Sequence, residues 1–274
     1  VGGFSDRLPE LLKVVMQRMA QVLANAEAAG TSAGAGPKKA RRRELLEKLE
    51  TQRQLLLQNY KNLTREEPWS VTSYYASHLL QQGSWHLSDY IKVLEGPMSL
   101  KSFSTAVRGA MAEAQLDVLV HGNATQEDAL SLAEEVSAVF RGIGTEPLKE
   151  IPRRQITKLK AGSSTVFEYD LAADNPDQEN SCCQNIYQVG PALEEPVRDA
   201  CLAIISHIAS TSSFQQLRTE EQLGYIVQAS PWVEQDVLCL GVLVQGDRLS
   251  PSAVDSRIEA WLESLGEELR CMPR

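Results

Sequence analysis

A change of hydrophobic period partway along the chain constrains its fold more than any other feature. Through the first third, apolar residues recur every three or four positions. One run is Leu8, Leu12, Val15, Met19 and Val22; the next is Leu45, Leu46, Leu49, Leu56, Tyr60 and Leu63. Such spacing lays one apolar stripe along a helix. Ser5 or Asp6 can cap the first helix, which closes near Gly30, and Thr31 to Gly36 reads as a small-residue linker. Pro37 suits the first position of the second helix, and Pro68 breaks its pattern. Further helices are expected across Val71 to Leu80, Ser88 to Leu94 and Ser99 to Met111. Then the period shifts. Leu116 to His121 is a β-rich run closed by the turn pair Gly122-Asn123, and it reads as a strand. Thr125 and Asp128 approximate a capping box for a helix carrying Leu132, Val136 and Phe140. Thr145 to Pro152, with two prolines and no helical period, is the candidate boundary.

Beyond that boundary, strands are expected at Ser164 to Leu171, Cys183 to Val189, Tyr225 to Ala229 and Val237 to Val244. Val197 to Ile208 reads as a helix apolar on most faces, hence buried. Ser250-Pro251 opens a last helix with Val254, Ile258, Trp261, Leu262, Leu265 and Leu269 on one side. The expected class is α+β, helices packed on antiparallel sheets.

Composition narrows the function classes. The 274 residues suffice for one large domain or two ordinary ones, and 43% hydrophobic content excludes collagen-like or disordered classes. With 27 basic against 36 acidic residues the net charge is −9, so phosphate is repelled. Neither nucleic acid nor a membrane surface is an expected partner, and no run reaches the roughly 18 apolar residues of a bilayer span. Five cysteines, an odd number without CxxC spacing, read as free thiols of a reducing, cytoplasmic compartment. Val1-Gly-Gly-Phe-Ser is no targeting signal and reads as a chain entered mid-fold.

Most catalytic signatures are missing. His78, His86, His121 and His207 form neither HExxH nor HxxEH, so no zinc site can be built on one helix. No GxSxG elbow marks a nucleophile, although a Ser/His/Asp triad stays open, and Gly142-Ile-Gly144 is a lone GxG. Lys38, Lys39, Arg41, Arg42 and Arg43 form either a nucleic-acid or nuclear-import patch or a solvated helix start; the acidic chain favours the second. One segment remains, Ser213 to Val227. It reads as a helix end, a turn in which Gly224 takes positive φ, and a strand from Tyr225. Arg218 and Tyr225 would then offer a guanidinium fork and a phenol near one point, the donors a carbonyl gaining negative charge requires. The plainer reading pairs Arg218 with Glu220 or Glu221 and half-buries Tyr225.

Leu217-Arg-Thr-Glu-Glu-Gln-Leu-Gly-Tyr-Ile-Val227 closely resembles the C-terminal, non-zinc half of the insulysin and pitrilysin family, M16-type inverzincin zinc metalloendopeptidases. Leu8-Pro-Glu-Leu-Leu12, Glu66-Glu-Pro-Trp69 with Tyr74-Tyr75, Leu116 to Asn123 with Glu127 to Leu130, and Ser256 to Leu262 are similar to further family markers, in family order. The resemblance implies LuxS/MPP-like domains: the later part of a third domain over 1–146 and the opening part of a fourth over 147–274. It also implies a peptide substrate, a zinc-bearing N-terminal half of the same enzyme as partner, and zinc in the intact enzyme but none on this chain. Arg218 and Tyr225 would bind substrate and stabilise its transition state, leaving no catalytic or metal-ligating residue here. The chain alone would be inactive. Thr31 to Arg43 resembles an insertion, and family members continue beyond the position of Arg274. Apolar faces left uncovered there invite association, so a homo-oligomer is possible. An alternative is a non-catalytic peptide- or partner-binding module derived from the family.

Overall fold

A computed structural model describes residues 2, 7–31, 37–152 and 155–272. The expected caps Ser5 and Asp6, and all of the small-residue linker after Thr31, lie outside the described residues. In chain order the elements are α1 (Leu8–Thr31), α2 (Pro37–Asn62), α3 (Pro68–Leu80), α4 (Leu87–Glu95), α5 (Leu100–Ala110), β1 (Glu113–Ala114) and α6 (Gln126–Gly142). They continue with β2 (Glu146–Pro147), β3 (Ser181–Pro191), α7 (Pro196–Ser213), β4 (Ile226–Glu234), β5 (Val237–Gly246) and α8 (Pro251–Cys271). Two compact units, each discontinuous in sequence, comprise residues 1–57 with 92–153 and residues 58–91 with 154–274.

In the first unit α1 packs on α5 and α6, burying Met16, Leu100 and Leu132. Both packing helices start from reciprocal caps. The Thr125 hydroxyl accepts from the Asp128 amide at 3.2 Å while Asp128 Oδ2 accepts from the Thr125 amide at 2.9 Å. Ser99 and Ser102 form the same box at the head of α5. Because the cap satisfies donors that α6 cannot satisfy internally, Thr125→Ala is expected to cost about 1 kcal/mol. A urea titration should show a lower midpoint with unchanged slope.

The β-rich run at Leu116–His121 forms no strand. Pairing is confined to β1, which lies parallel to β2 and bonds through the amides of Glu146 and Leu148. Pro147 has no amide to give, and no described segment extends the ladder past Leu148. Leu119 is accordingly 91% exposed. β-propensity without a neighbouring strand does not make a strand.

The second unit holds an antiparallel sheet in the order β3-β5-β4. Central β5 is buried residue after residue, from Leu238 to Gln245 apart from Gly241's lack of side chain, because both faces are covered. On one face Val242 and Val244 meet Ala209 of α7 and Val254, Ile258, Trp261 and Leu265 of α8. The last four recur at helical spacing, and Ser250 accepts from the Ala253 amide as their N-cap. On the other face lies α3, whose first turn is fixed from the sheet. Gln245 Oε1 accepts from the Trp69 amide at 2.8 Å, and its Nε2 donates to Glu67 at 2.8 Å. Buried Glu234 accepts from Ser77 at 2.9 Å and from Gln81 at 2.5 Å, so both its oxygens are met by donors on α3 and its C-cap.

Two further segments depart from the expected structure. Ser164–Leu171 is not a strand: among the described residues it pairs with none, and Phe167 and Tyr169 place their rings 5.3 and 4.6 Å from that of Tyr75 instead. Helix α7 is not buried all round. Leu202, Ser206, Ala209 and Ser213 face inward, whereas Val197 and Ile204 are 73% and 63% exposed. Only one side of α7 lies on the sheet, so apolar content overstated its burial.

Candidate functional site

Helix α7 passes directly into a π-helical stretch, Phe214–Glu220. Its i→i+5 bonding widens the turn, a local irregularity that often marks a functional segment. The inner side is pinned by Leu217, fully buried, and by Ser212, whose hydroxyl accepts from Trp261 Nε1 at 3.1 Å. The outer side carries Phe214 and Arg218, four residues apart.

Gln222 then takes φ of +53°, the reversal that the sequence reading assigned to Gly224. Gly224 itself is not among the positive-φ residues; its constraint is close approach. A Cβ at Gly224 would lie 2.0 Å from the carbonyl oxygen of Gln245. Glycine is needed because one backbone lies on another. The chain emerges at Tyr225, 82% exposed, immediately before β4.

The structure brings Arg218 and Tyr225 together. The Arg218 Cζ lies 4.9 Å from the Tyr225 ring centroid and 4.7 Å from that of Phe214. Such stacking fixes a guanidinium plane without consuming its N–H donors. The plainer pairing does not occur. Glu221 accepts both Nε and Nη2 of Arg257 at 2.7 Å each, and Glu220 accepts from Gln215 at 3.1 Å. Among the described residues neither the Arg218 guanidinium nor the Tyr225 hydroxyl has a hydrogen-bond partner. A cation and a phenol, side by side and unspent, can both donate to one arriving acceptor.

Sequence reading missed three contributors. Phe214 had a signal, its position four residues before Arg218 on a helix. Arg257 and Arg248 had none, because both reach the turn from distant parts of the chain. Arg257 holds the Glu221 carboxyl below the ordinary carboxylate range.

Elsewhere, His78 and His86 are brought together, rings 5.2 Å apart, with their Nδ1 atoms beside Ser84 and Ser88 hydroxyls at 2.9 and 2.8 Å. Among the described residues no three His, Cys, Asp or Glu side chains gather as a metal ligand set. All five cysteines are free. Burial pushes the Cys182, Cys183 and Cys239 thiols up to about 11, 12 and 11, which keeps them protonated and poorly nucleophilic. No helix among the described residues is long and apolar enough to cross a membrane.

Comparison with known proteins bears on the same segments. The middle or third domain of M16 peptidases matches residues 1–93, and the C-terminal lobe domain 4 of PQQ synthase PqqF-like proteins matches residues 204–274. Insulin-degrading enzyme of Homo sapiens is 23% identical over 274 residues, covering 99% of this chain and 24% of that protein. The A-factor-processing enzyme of Saccharomyces cerevisiae is 24% identical over 219 residues, 79% of this chain and 20% of that protein. A crystal structure of pitrilysin shares the fold, with a TM-score of 0.69 at 23% identity over 99% of this chain and 26% of that one. The chain thus spans about a quarter of the length of the relatives it matches.

Proposed function

Because this chain belongs to the insulysin/pitrilysin family of M16 peptidases, we propose that it supplies substrate-binding and clamp surface to a peptide-hydrolysing zinc enzyme. One observation carries the reading: Arg218 and Tyr225 stand together with their donors unspent. We assign residues 1–146 to the later part of a third domain and 147–274 to the opening of a fourth. The matches to third- and fourth-domain sequences at residues 1–93 and 204–274 support that order.

The partner in this reading is the zinc-bearing N-terminal half of the same enzyme, and the substrate is a peptide. Among the described residues no zinc ligand set forms, and in this reading the metal is held by the other half. Arg218 and Tyr225 donate to the scissile carbonyl oxygen. Both bonds shorten and strengthen as that oxygen gains charge, so they favour the transition state over the bound peptide. Phe214 and the Tyr225 ring hold the guanidinium in place, so little reorganisation accompanies reaction. Free thiols support a reducing, cytoplasmic location.

The test is reconstitution with a zinc-bearing N-terminal half from the family. Chelator-sensitive cleavage of a fluorogenic peptide is expected from the mixture and not from the chain by itself. Peptide binding by the chain with no gain of cleavage in the mixture would overturn the reading in favour of a binding module.

A further inference from the structure

The segment between Arg218 and Tyr225 is held from outside by two arginines. Arg257 on α8 grips both carboxylate oxygens of Glu221 at 2.7 Å, which fixes the plane of that carboxylate as well as its position. The same carboxylate takes a third bond, from Gln216 Nε2 in the π-helical stretch, at 3.1 Å. One residue on, Arg248 donates to the Gln222 carbonyl oxygen at 3.3 Å and to its side-chain oxygen at 3.0 Å. Gln222 is the residue in the left-handed conformation, and such a residue persists where its surroundings over-determine it.

The Arg257 side chain is 46% exposed and that of Glu221 only 18%, so this bidentate pair adds to stability as well as fixing geometry. Glu221 lies three residues after Arg218 and four before Tyr225, at the point where the π-helical stretch turns toward β4. Buried Leu217 and Leu223, joined by the Leu223 amide to the Leu217 carbonyl at 2.9 Å, anchor the inside of that turn. The two-point grip of Arg257 on Glu221 fixes its outside.

We propose that Glu221 and Arg257 are positioning residues: their bidentate pair sets the spacing at which the Arg218 guanidinium meets the Tyr225 ring. The inference rests on the reading of Arg218 and Tyr225 given above, and its test separates the two. The Phe214 and Tyr225 rings should shift the Arg218 side-chain proton signals upfield. NMR of the 274-residue chain with labelled arginine reads this directly; the signal is assigned by its loss in Arg218→Lys. In Arg257→Gln the upfield shift should collapse while the β5 amide signals stay native. Arg257→Lys keeps the charge but loses the fork, so it should also collapse. Glu221→Arg combined with Arg257→Glu restores the fork in reverse and should recover the shift.

In the reconstituted peptidase, Arg257→Gln should lower kcat by about 10²-fold with KM nearly unchanged, the scale of a small misplacement of reacting groups. An unchanged shift in Arg257→Gln overturns the positioning role, whatever the activity. A collapsed shift with normal turnover upholds that role and overturns the reading of Arg218 and Tyr225 as transition-state donors.

Discussion

Tyr225→Phe is expected to lower kcat of the reconstituted peptidase by about 10²–10³, the cost of deleting one donor to a developing oxyanion, with no fall in melting temperature. Both halves of that expectation come from the structure. Tyr225 is 82% exposed and its hydroxyl has no partner among the described residues, so its removal breaks no internal bond. The phenyl ring remains, and with it the surface on which the Arg218 guanidinium rests 4.9 Å from the centroid. What disappears is one donor aimed at solvent or substrate. If that donor acts chiefly in the transition state, kcat falls more than KM rises. Arg218→Lys should be damaging as well, because an ammonium keeps the charge but neither stacks flat between side chains nor offers two parallel donors. A purely structural pair behaves differently: the arginine change lowers the melting temperature, and turnover stays normal in both variants. Measuring kcat/KM and thermal unfolding on the same preparations distinguishes the cases. Normal turnover in Tyr225→Phe would remove Tyr225 from the mechanism.

What was legible in the sequence was local. Ser250 and Pro251 announced α8, and the residues Val254, Ile258, Trp261 and Leu265 fall on its buried side because helical spacing and burial share a period. Thr125 and Asp128 announced α6 for the same reason, since a cap is satisfied within four residues. The apolar run from Val237 to Val244 announced β5 as a strand, while its cover on both faces came from distant helices. Misreadings arose where the outcome depended on a distant partner. Leu116–His121 had strand composition and, among the described residues, no strand to pair with. Glu221 had Arg218 three residues away, yet the carboxylate found Arg257 36 residues on, whose fork can address both oxygens at once. Charge pattern along the chain cannot rank two arginines by geometry. The candidate site divides in the same way: Arg218 and Tyr225 were readable from a short motif, whereas the elements that hold them at a fixed spacing were not.

Gly224→Ala should destabilise the second unit by about 3 kcal/mol, at the upper end for an atom forced into filled space, and Gln222→Gly should change its stability by less than about 1 kcal/mol. The added methyl at Gly224 would lie 2.0 Å from the Gln245 oxygen and 2.6 Å from its carbonyl carbon. Both are backbone atoms, so no side-chain rotation relieves the overlap. The strand must move, and Gln245 is the residue that pairs with Ile226 at the start of the β4–β5 ladder. Its side chain also fixes the first turn of α3 through Trp69 and Glu67, so the displacement would be felt on the opposite face of the sheet. The reciprocal contact is equally tight, with a Cβ at Gly246 placed 2.4 Å from the Leu223 oxygen. At Gln222 the terms nearly cancel. Glycine relieves a left-handed conformation that costs an ordinary residue about 1 kcal/mol, but it enlarges the freedom of the unfolded chain by a similar amount. It also gives up the exposed Arg248 bond to the Gln222 side-chain oxygen, while the bond to the Gln222 carbonyl stays. Urea unfolding of the two variants beside the parent chain decides the matter. A stable Gly224→Ala together with a damaged Gln222→Gly would mean that close approach is not what requires glycine at position 224.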